Sequence, residues 1–277
     1  MDMRHIFEAI DASSQIKPEP GDYNEGGLLV CGKCHTPKQV RIEVNGIEMH
    51  PYVLCRCEAE RIDREEAERK RAESAKRIDQ LRRFGFHDPS MARWTFEADD
   101  GKDERLSRIA RNYVNNFEQM KADGKGLLLW GGTGSGKTFA AVCIANALID
   151  RGIPCLVTNF ARLTNAIGAT FNDRQKRIDD LDRFDLLVID DLASERETEY
   201  MNELVFSIID ARYRSGKPII VTTNLTAEEL KNPNSMHRKR IYSRLMEMCV
   251  PVKVSGADRR RDQLKSDYER IARILGL

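Results

Sequence analysis

Between Gly131 and Thr138 the chain reads GGTGSGKT, directly behind the apolar run LLLW. The pattern GxxxxGK[ST], between an apolar strand and the start of a helix, is built to hold nucleotide phosphates. Gly131, Gly132, Thr133, Gly134, Ser135 and Gly136 supply a loop whose N–H groups turn inward around phosphate oxygens, and the helix dipole favours the same negative charge. Lys137 is placed to bridge the terminal phosphates of ATP, and the Thr138 hydroxyl to ligate Mg2+. The run LLVIDDLAS then ends an apolar strand in two carboxylates at a sheet edge, where ligands of such sheets bind. Asp190 belongs in the magnesium shell. Asp191 is placed to polarise an attacking water, although paired carboxylates behind a strand also cap helices. In PIIVTTNL, Asn224 either bridges the γ-phosphate and that water or closes a turn. Together these residues have the composition of an NTP hydrolase site.

A second cluster lies near the N-terminus. Cys31 and Cys34 form CGKC, and Cys55 and Cys57 form CRC. Two thiolate pairs flanking a short segment suit tetrahedral Zn2+, which folds segments too small to fold alone. Reduced structural thiols are the alternative. His35 and His50 are spare ligands that four cysteines make unnecessary. Between the pairs, apolar and polar residues alternate around Asn45-Gly46, the strongest short hairpin signal, so the metal would staple a β-hairpin. Cys143, Cys155 and Cys249 fall inside predicted helices or strands and read as small buried hydrophobes.

The elements that must position these groups follow from patterning. The expected division is 1–57, a metal-binding module; 58–85, a charged helical linker; and 86–277, an α/β nucleotide-binding domain. The stretch ahead of the cysteines, KPEPGDYNEGG, reads as a loop. From Glu58 to Arg83 the chain lacks Gly and Pro and carries acid–base pairs four apart, such as Glu65 with Arg69 and Glu66 with Lys70, as a solvated helix does. Beyond Gly85, short apolar runs alternate with amphipathic ones, the signature of a parallel sheet covered on both faces. Five strands are expected, at Leu127–Trp130, Cys155–Thr158, Leu186–Asp190, Ile219–Thr222 and Val250–Val254. Helices are expected at 103–121, 137–150, 160–170, 198–214, 235–247 and 258–275. The 277 residues carry 45 basic and 44 acidic side chains, so any nucleic-acid contact is a local patch. No run approaches the ~20 apolar residues needed to span a bilayer, and no export signal opens the chain. A cytoplasmic protein without membrane contact is the expectation.

In order and spacing, GGTGSGKT, LLVIDDLAS, ARYRSGKPIIVTTNL, RIYSRLMEM and VSGADRRR resemble the DnaC/DnaI helicase-loader branch of the AAA+ ATPases over about residues 86–270. The first two motifs are common to P-loop proteins. The stretch from RY through TTNL to SRLME is particular to loaders and transposition helpers. The resemblance implies an AAA+ P-loop NTPase core with a five-stranded parallel sheet. It also implies no full C-terminal lid, since residues 255–277 hold one helix. It casts Arg244 as an arginine finger toward a neighbouring subunit's nucleotide, with Arg240 one turn earlier as understudy. It places Arg260 as a nucleotide-sensing arginine, with Arg259 and Arg261 leaving the register open; the three together are alternatively a phosphate-contact patch. Asp191 departs from the glutamate frequent in AAA+ proteins, and the shorter arm suits a switch. Trp94 and Phe96 are then candidate neighbours of the adenine, with packing in the core the stronger reading for both. By the same resemblance the cysteine module docks on a hexameric replicative DNA helicase, which ATP turnover loads onto single-stranded DNA during replication initiation. Self-association into a ring or spiral would then line its bore with the HRKR run, His237 to Arg240. An IstB-like transposition helper and a nucleotide-gated adaptor without turnover are the alternatives.

Overall fold

The computed structural model describes residues 18–168, 173–193, 198–256, 258, 268 and 270–277. The chain divides into two compact units, Met1–Ala75 and Lys76–Leu277.

Among the described residues the smaller unit holds two hairpins. Strand β1 (Tyr23–Glu25) pairs antiparallel with β2 (Leu28–Val30), and β3 (Ile42–Val44) with β4 (Ile47–Met49). Asn45 and Gly46 turn the second hairpin at φ 53° and 76°, the conformation that matches strand twist. The first hairpin corrects the loop expected from KPEPGDYNEGG, because Gly26-Gly27, at φ 61° and 82°, is itself a two-residue hairpin turn. Lys38 is buried; its ammonium donates to Asp22 at 2.7 Å and Glu19 at 3.2 Å.

Helix α1 (Arg56–Gly85) begins immediately after Cys55. It is sustained by i,i+4 ion pairs on its exposed face, Arg61–Glu65 and Glu66–Lys70 among them. Glu65 therefore pairs backward to Arg61 instead of forward to Arg69. Toward its end Ile78 and Leu81 pack on the core of the larger unit.

In the larger unit, two 3-10 turns (Pro89–Arg93 and Phe96–Ala98) precede α2 (Glu104–Asn115) and α3 (Phe117–Ala122). The single helix expected over 103–121 is thus split at Asn116, which leaves helical geometry at φ −109°, ψ 23°. The sheet follows: β5 (Gly126–Trp130), β6 (Cys155–Asn159), β7 (Leu186–Leu192), β8 (Ile219–Thr223) and β9 (Cys249–Lys253). Its order is β6-β7-β8-β5-β9 with every neighbour parallel. Such a sheet is buried on both faces, which is why LLLW and LLVI read as unbroken apolar runs. One face packs against α2 and α4 (Lys137–Asp150), joined by Met91 and Phe86. The other packs against α5 (Phe160–Gly168), α7 (Glu199–Ser215) and α9 (Met236–Met248). Two short helices, α6 (Arg174–Asp179) and α8 (Ala227–Lys231), complete the connections. The helix expected at 258–275 falls largely outside the described residues.

Strand β7 overruns its expected end at Asp190 by two residues. Its register against β8 slips between Ile189 and Leu192, and Asp191 and Ala193 sit at φ 63° and 73°. Both carboxylates therefore lie within a bulge, a device that re-aims side chains next to sites.

Candidate active site and metal centre

The carboxyl edge of the sheet gathers the predicted nucleotide residues. Gly131, Gly134 and Gly136 adopt φ of 149°, 72° and 100°, so the loop between β5 and α4 requires glycine. A Cβ at Gly131 would stand 2.1 Å from the Val254 carbonyl, and one at Gly134 1.7 Å from an Asp258 carboxylate oxygen. The long helices α2, α7 and α9 start on capping side chains, Asp103, Thr198 and Ser235. Helix α4 starts on Gly136 with no side-chain cap, an arrangement compatible with an anion at its N-terminus.

Around this loop runs a connected network. The Lys137 ammonium, buried, donates to the carbonyls of Gly131 at 3.0 Å and Gly132 at 2.7 Å and to Asn224 Oδ1 at 2.8 Å. Asn224 Nδ2 donates in turn to Asp191 Oδ1 at 3.1 Å. The amide's orientation is dictated by its partners, since an ammonium only donates and a carboxylate only accepts. The Thr138 hydroxyl donates to Asp190 Oδ1 at 2.7 Å, the juxtaposition that a magnesium-binding hydroxyl and carboxylate need. Ser135 Oγ closes the loop on the Gly132 carbonyl at 2.8 Å. Lys137, Thr138, Asp190, Asp191 and Asn224, drawn from three separate stretches of sequence, are thus brought together. This donor set fits a magnesium-bound triphosphate.

Beside Gly136 a narrow cleft is walled by Phe96, Phe139, Ala140, Cys143, Leu106 and Asp99. Phe96 lines it directly, and the Arg111 guanidinium lies 4.5 Å from its ring centre. Trp94 stands one layer back, with its ring 6.1 Å from that of Phe139 and its carbonyl bound by Asn146.

The two candidate fingers are turned onto their own chain. Arg240 stacks 4.2 Å over Phe206, and Arg244 4.1 Å over Tyr213 with its Nε 3.5 Å from Asp210. Both aromatic rings belong to α7, the helix on which α9 packs. Arg259, Arg260 and Arg261 lie outside the described residues.

One residue of the network escapes a motif-by-motif reading. The Thr222 hydroxyl donates to Asp190 Oδ1 at 2.5 Å and accepts the Asp191 N–H at 2.9 Å. Its signal was alternation: Thr222 stands two residues before Asn224 and so shares one side of the strand with it.

In the smaller unit Cys31, Cys34, Cys55 and Cys57 place their sulfurs within 4.8 Å of one another. Cys57 lies 3.5 Å from both Cys31 and Cys55, and all four are free thiols. A tetrahedron of Zn–S bonds of ~2.3 Å has sulfur–sulfur edges of about 3.8 Å, so the arrangement fits zinc. Backbone N–H groups of Cys34 and Lys33 hold the Cys31 thiol below its usual range, and the Thr36 hydroxyl brings Cys34 down to about 5. The neighbouring sulfurs push Cys57 up to about 12. His35 instead meets the Tyr23 hydroxyl, and His50 meets Glu48, so neither joins the cluster. Cys143, Cys155 and Cys249 are buried as expected.

The sequence profile of the family described as "IstB-like ATP binding protein" matches residues 57–266. The chain belongs to that family. Among curated relatives, the replicative helicase loader DnaC of Escherichia coli K12 is 32% identical over 135 residues, 47% of this chain and 54% of DnaC. The chain thus spans about half the length of that relative. The phage-like element PBSX protein XkdC of Bacillus subtilis is 27% identical over 234 residues, 80% of this chain and 82% of XkdC. The crystal structure of DnaI superposes with a TM-score of 0.51 at 23% identity, over 64% of this chain and 96% of that one. It bears on the fold alone, the α/β architecture with a five-stranded parallel sheet. Among the described residues no helix is long and apolar enough to cross a membrane.

Proposed function

We propose that this AAA+ chain is an ATP hydrolase that loads a hexameric replicative DNA helicase onto single-stranded DNA. The observation that carries the hydrolase is the unbroken path from Lys137 through Asn224 to Asp191, beside the Thr138–Asp190 pair. Lys137 and the loop amides bind the phosphates, Thr138 and Asp190 hold the magnesium, and Phe96 flanks the base. A magnesium ion held by Thr138 and Asp190 would supply charge neutralisation for phosphoryl transfer. Asp191, aimed by Asn224, accepts a hydrogen bond from the attacking water. The water oxygen bonds to the γ-phosphorus as the bond to the bridging oxygen breaks; ADP leaves with that oxygen, and the water's proton passes by way of Asp191 to the released phosphate. Arg244 or Arg240 reaches in from an adjacent copy, which requires it to leave its stacked position on α7, and Arg260 senses the nucleotide in cis.

The loader role is supported by the similarity to DnaC and by the cysteine unit. Residues 1–57, folded around zinc, dock on the helicase; 58–85 form the spacer; 86–277 form the ATPase, acting in the cytoplasm. An IstB-like transposition helper is the second reading, favoured by the family's own description. Incubation with a replicative helicase, single-stranded DNA and ATP, set against duplex DNA and a transposase, separates them. ATP-dependent transfer of the helicase onto single strands is the expected result. Absence of helicase binding, with duplex-stimulated turnover, would overturn the loader.

A further inference from the structure

We propose that Thr222 is a positioning residue for ATP hydrolysis, holding both carboxylates of the site through one hydroxyl. This rests on the hydrolase reading of the Lys137–Asp190–Asp191 site. Thr222 is 1% exposed in β8. Its hydroxyl has one proton, and the Asp191 amide can only donate to it, so that proton goes to Asp190. The direction of both hydrogen bonds is therefore fixed.

The bulge explains why this hydroxyl matters. Leu187, Val188 and Ile189 pair in register with β8, and pairing resumes at Leu192 with Thr223, so that Asp190 and Asp191 together stand opposite Thr222, while Asp190 keeps its register with Asn159 on β6. A backbone amide in that bulge needs another acceptor, and the Thr222 side chain is it. On the far side the Thr223 hydroxyl donates to the Leu192 carbonyl at 3.0 Å. With Asp191 at φ 63°, the direction in which its carboxylate leaves the strand depends on that amide staying anchored. Asp190 is gripped from two sides, by Thr138 and Thr222. If the Thr138 hydroxyl is taken by magnesium, Thr222 is the grip that remains. Phosphate binding by Lys137 and the loop amides does not pass through Thr222. The loss on its removal therefore falls on kcat and spares KM.

The test compares Thr222→Ser with Thr222→Ala, which lose the same methyl and differ only in the hydroxyl. Thr222→Val repeats the deletion at constant volume. Steady-state ATP turnover, ATP affinity and thermal midpoint are measured on the full chain. Thr222→Ser is expected to stay near wild type, while Ala and Val lose about 10–100-fold in kcat, the size of effect seen when an outer partner of a metal-site ligand is removed. KM should remain within about twofold. Equal kcat for Ser and Ala, or parallel losses of affinity and turnover in Ala and Val, would overturn the proposal while the hydrolase stands. A wild-type chain that binds ATP without turnover would overturn the hydrolase reading, and this inference with it.

Discussion

Arg212, within the ARYRSGKP run that carries much of the family likeness, is a basic residue deep in the protein, 3% exposed. Its guanidinium donates to the carbonyls of Phe184 at 2.8 Å, Asp185 at 2.8 Å and Pro218 at 2.9 and 3.2 Å. These carbonyls lie just before β7 and β8, so one side chain pins the incoming ends of two central strands to the end of α7. Burial brings its pKa down to about 10, partly offset by the nearby carboxylates of Asp182 and Asp185. Replacing Arg212 by Met strands the Phe184 and Asp185 carbonyls and leaves that of Pro218 only the long bond from the Leu187 N–H at 3.5 Å; a carbonyl left without a donor costs about 1–3 kcal/mol. A cavity of about 400 Å3 beside it, lined by Gln175, Asp182 and Ile208 among others, lets water reach them. Water satisfies part of the loss, and the expected destabilisation falls near the low end, about 3–4 kcal/mol. At about 2–4 °C per kcal/mol for a domain of this size, the melting midpoint should drop by roughly 6–16 °C. Lys at this position offers donors from a single point, which cannot span three carbonyls, and should recover less than half of the loss. Calorimetry on the full chain reads the shift. ATP affinity measured well below the midpoint should be unchanged, because Arg212 sits at the end of the sheet opposite Lys137. A melting midpoint within about 2 °C of wild type, or lost ATP affinity in the folded variant, would refute this account.

Asn224→Ala should cut turnover by about 10–100-fold while ATP still binds, since it breaks the link from Lys137 to Asp191 and leaves the loop intact; single-turnover kinetics with an equilibrium binding assay check this. If Arg244 acts across an interface, Arg244→Ala alone should be inactive. Mixing it with Lys137→Ala should restore turnover, because hybrid pairs join an intact site to an intact finger; equimolar titration of the two variants reads this out. The purified chain should carry one zinc per molecule by elemental analysis, and a chelator should unfold the residue 18–55 region while leaving the ATPase melting transition in place. Lys38 holds the Asp22 carboxyl at about 2, below its usual 3.8. A depressed carboxylate contributes its stabilisation above about pH 4 and loses it as pH falls toward 2. The Gly32 amide, bonded to Asp22 at 3.1 Å, should therefore keep its exchange protection at pH 5 and lose it there in Asp22→Asn.

Local chemistry made much of this protein legible in one dimension. GGTGSGKT between an apolar strand and an apolar helix has few other uses. The runs LLLW, LLVI and PIIV declare a sheet covered on both faces, because only such burial tolerates unbroken apolar strands. Asn45-Gly46 declared its hairpin through the positive φ that turn needs. The split of the predicted helix at Asn116, the forward or backward choice of partner by Glu65, and the parking of Arg240 and Arg244 on Phe206 and Tyr213 depend on packing between elements distant in sequence, and no local pattern encodes them. The same holds for the bulge at Asp190 and Asp191. Which residues could do the chemistry was set by type and spacing along the chain. Where the carboxylates lie was settled only when β8 came alongside β7 and the Thr222 hydroxyl met both the Asp191 amide and the Asp190 carboxylate, because a backbone amide in a parallel sheet finds its acceptor on the neighbouring strand.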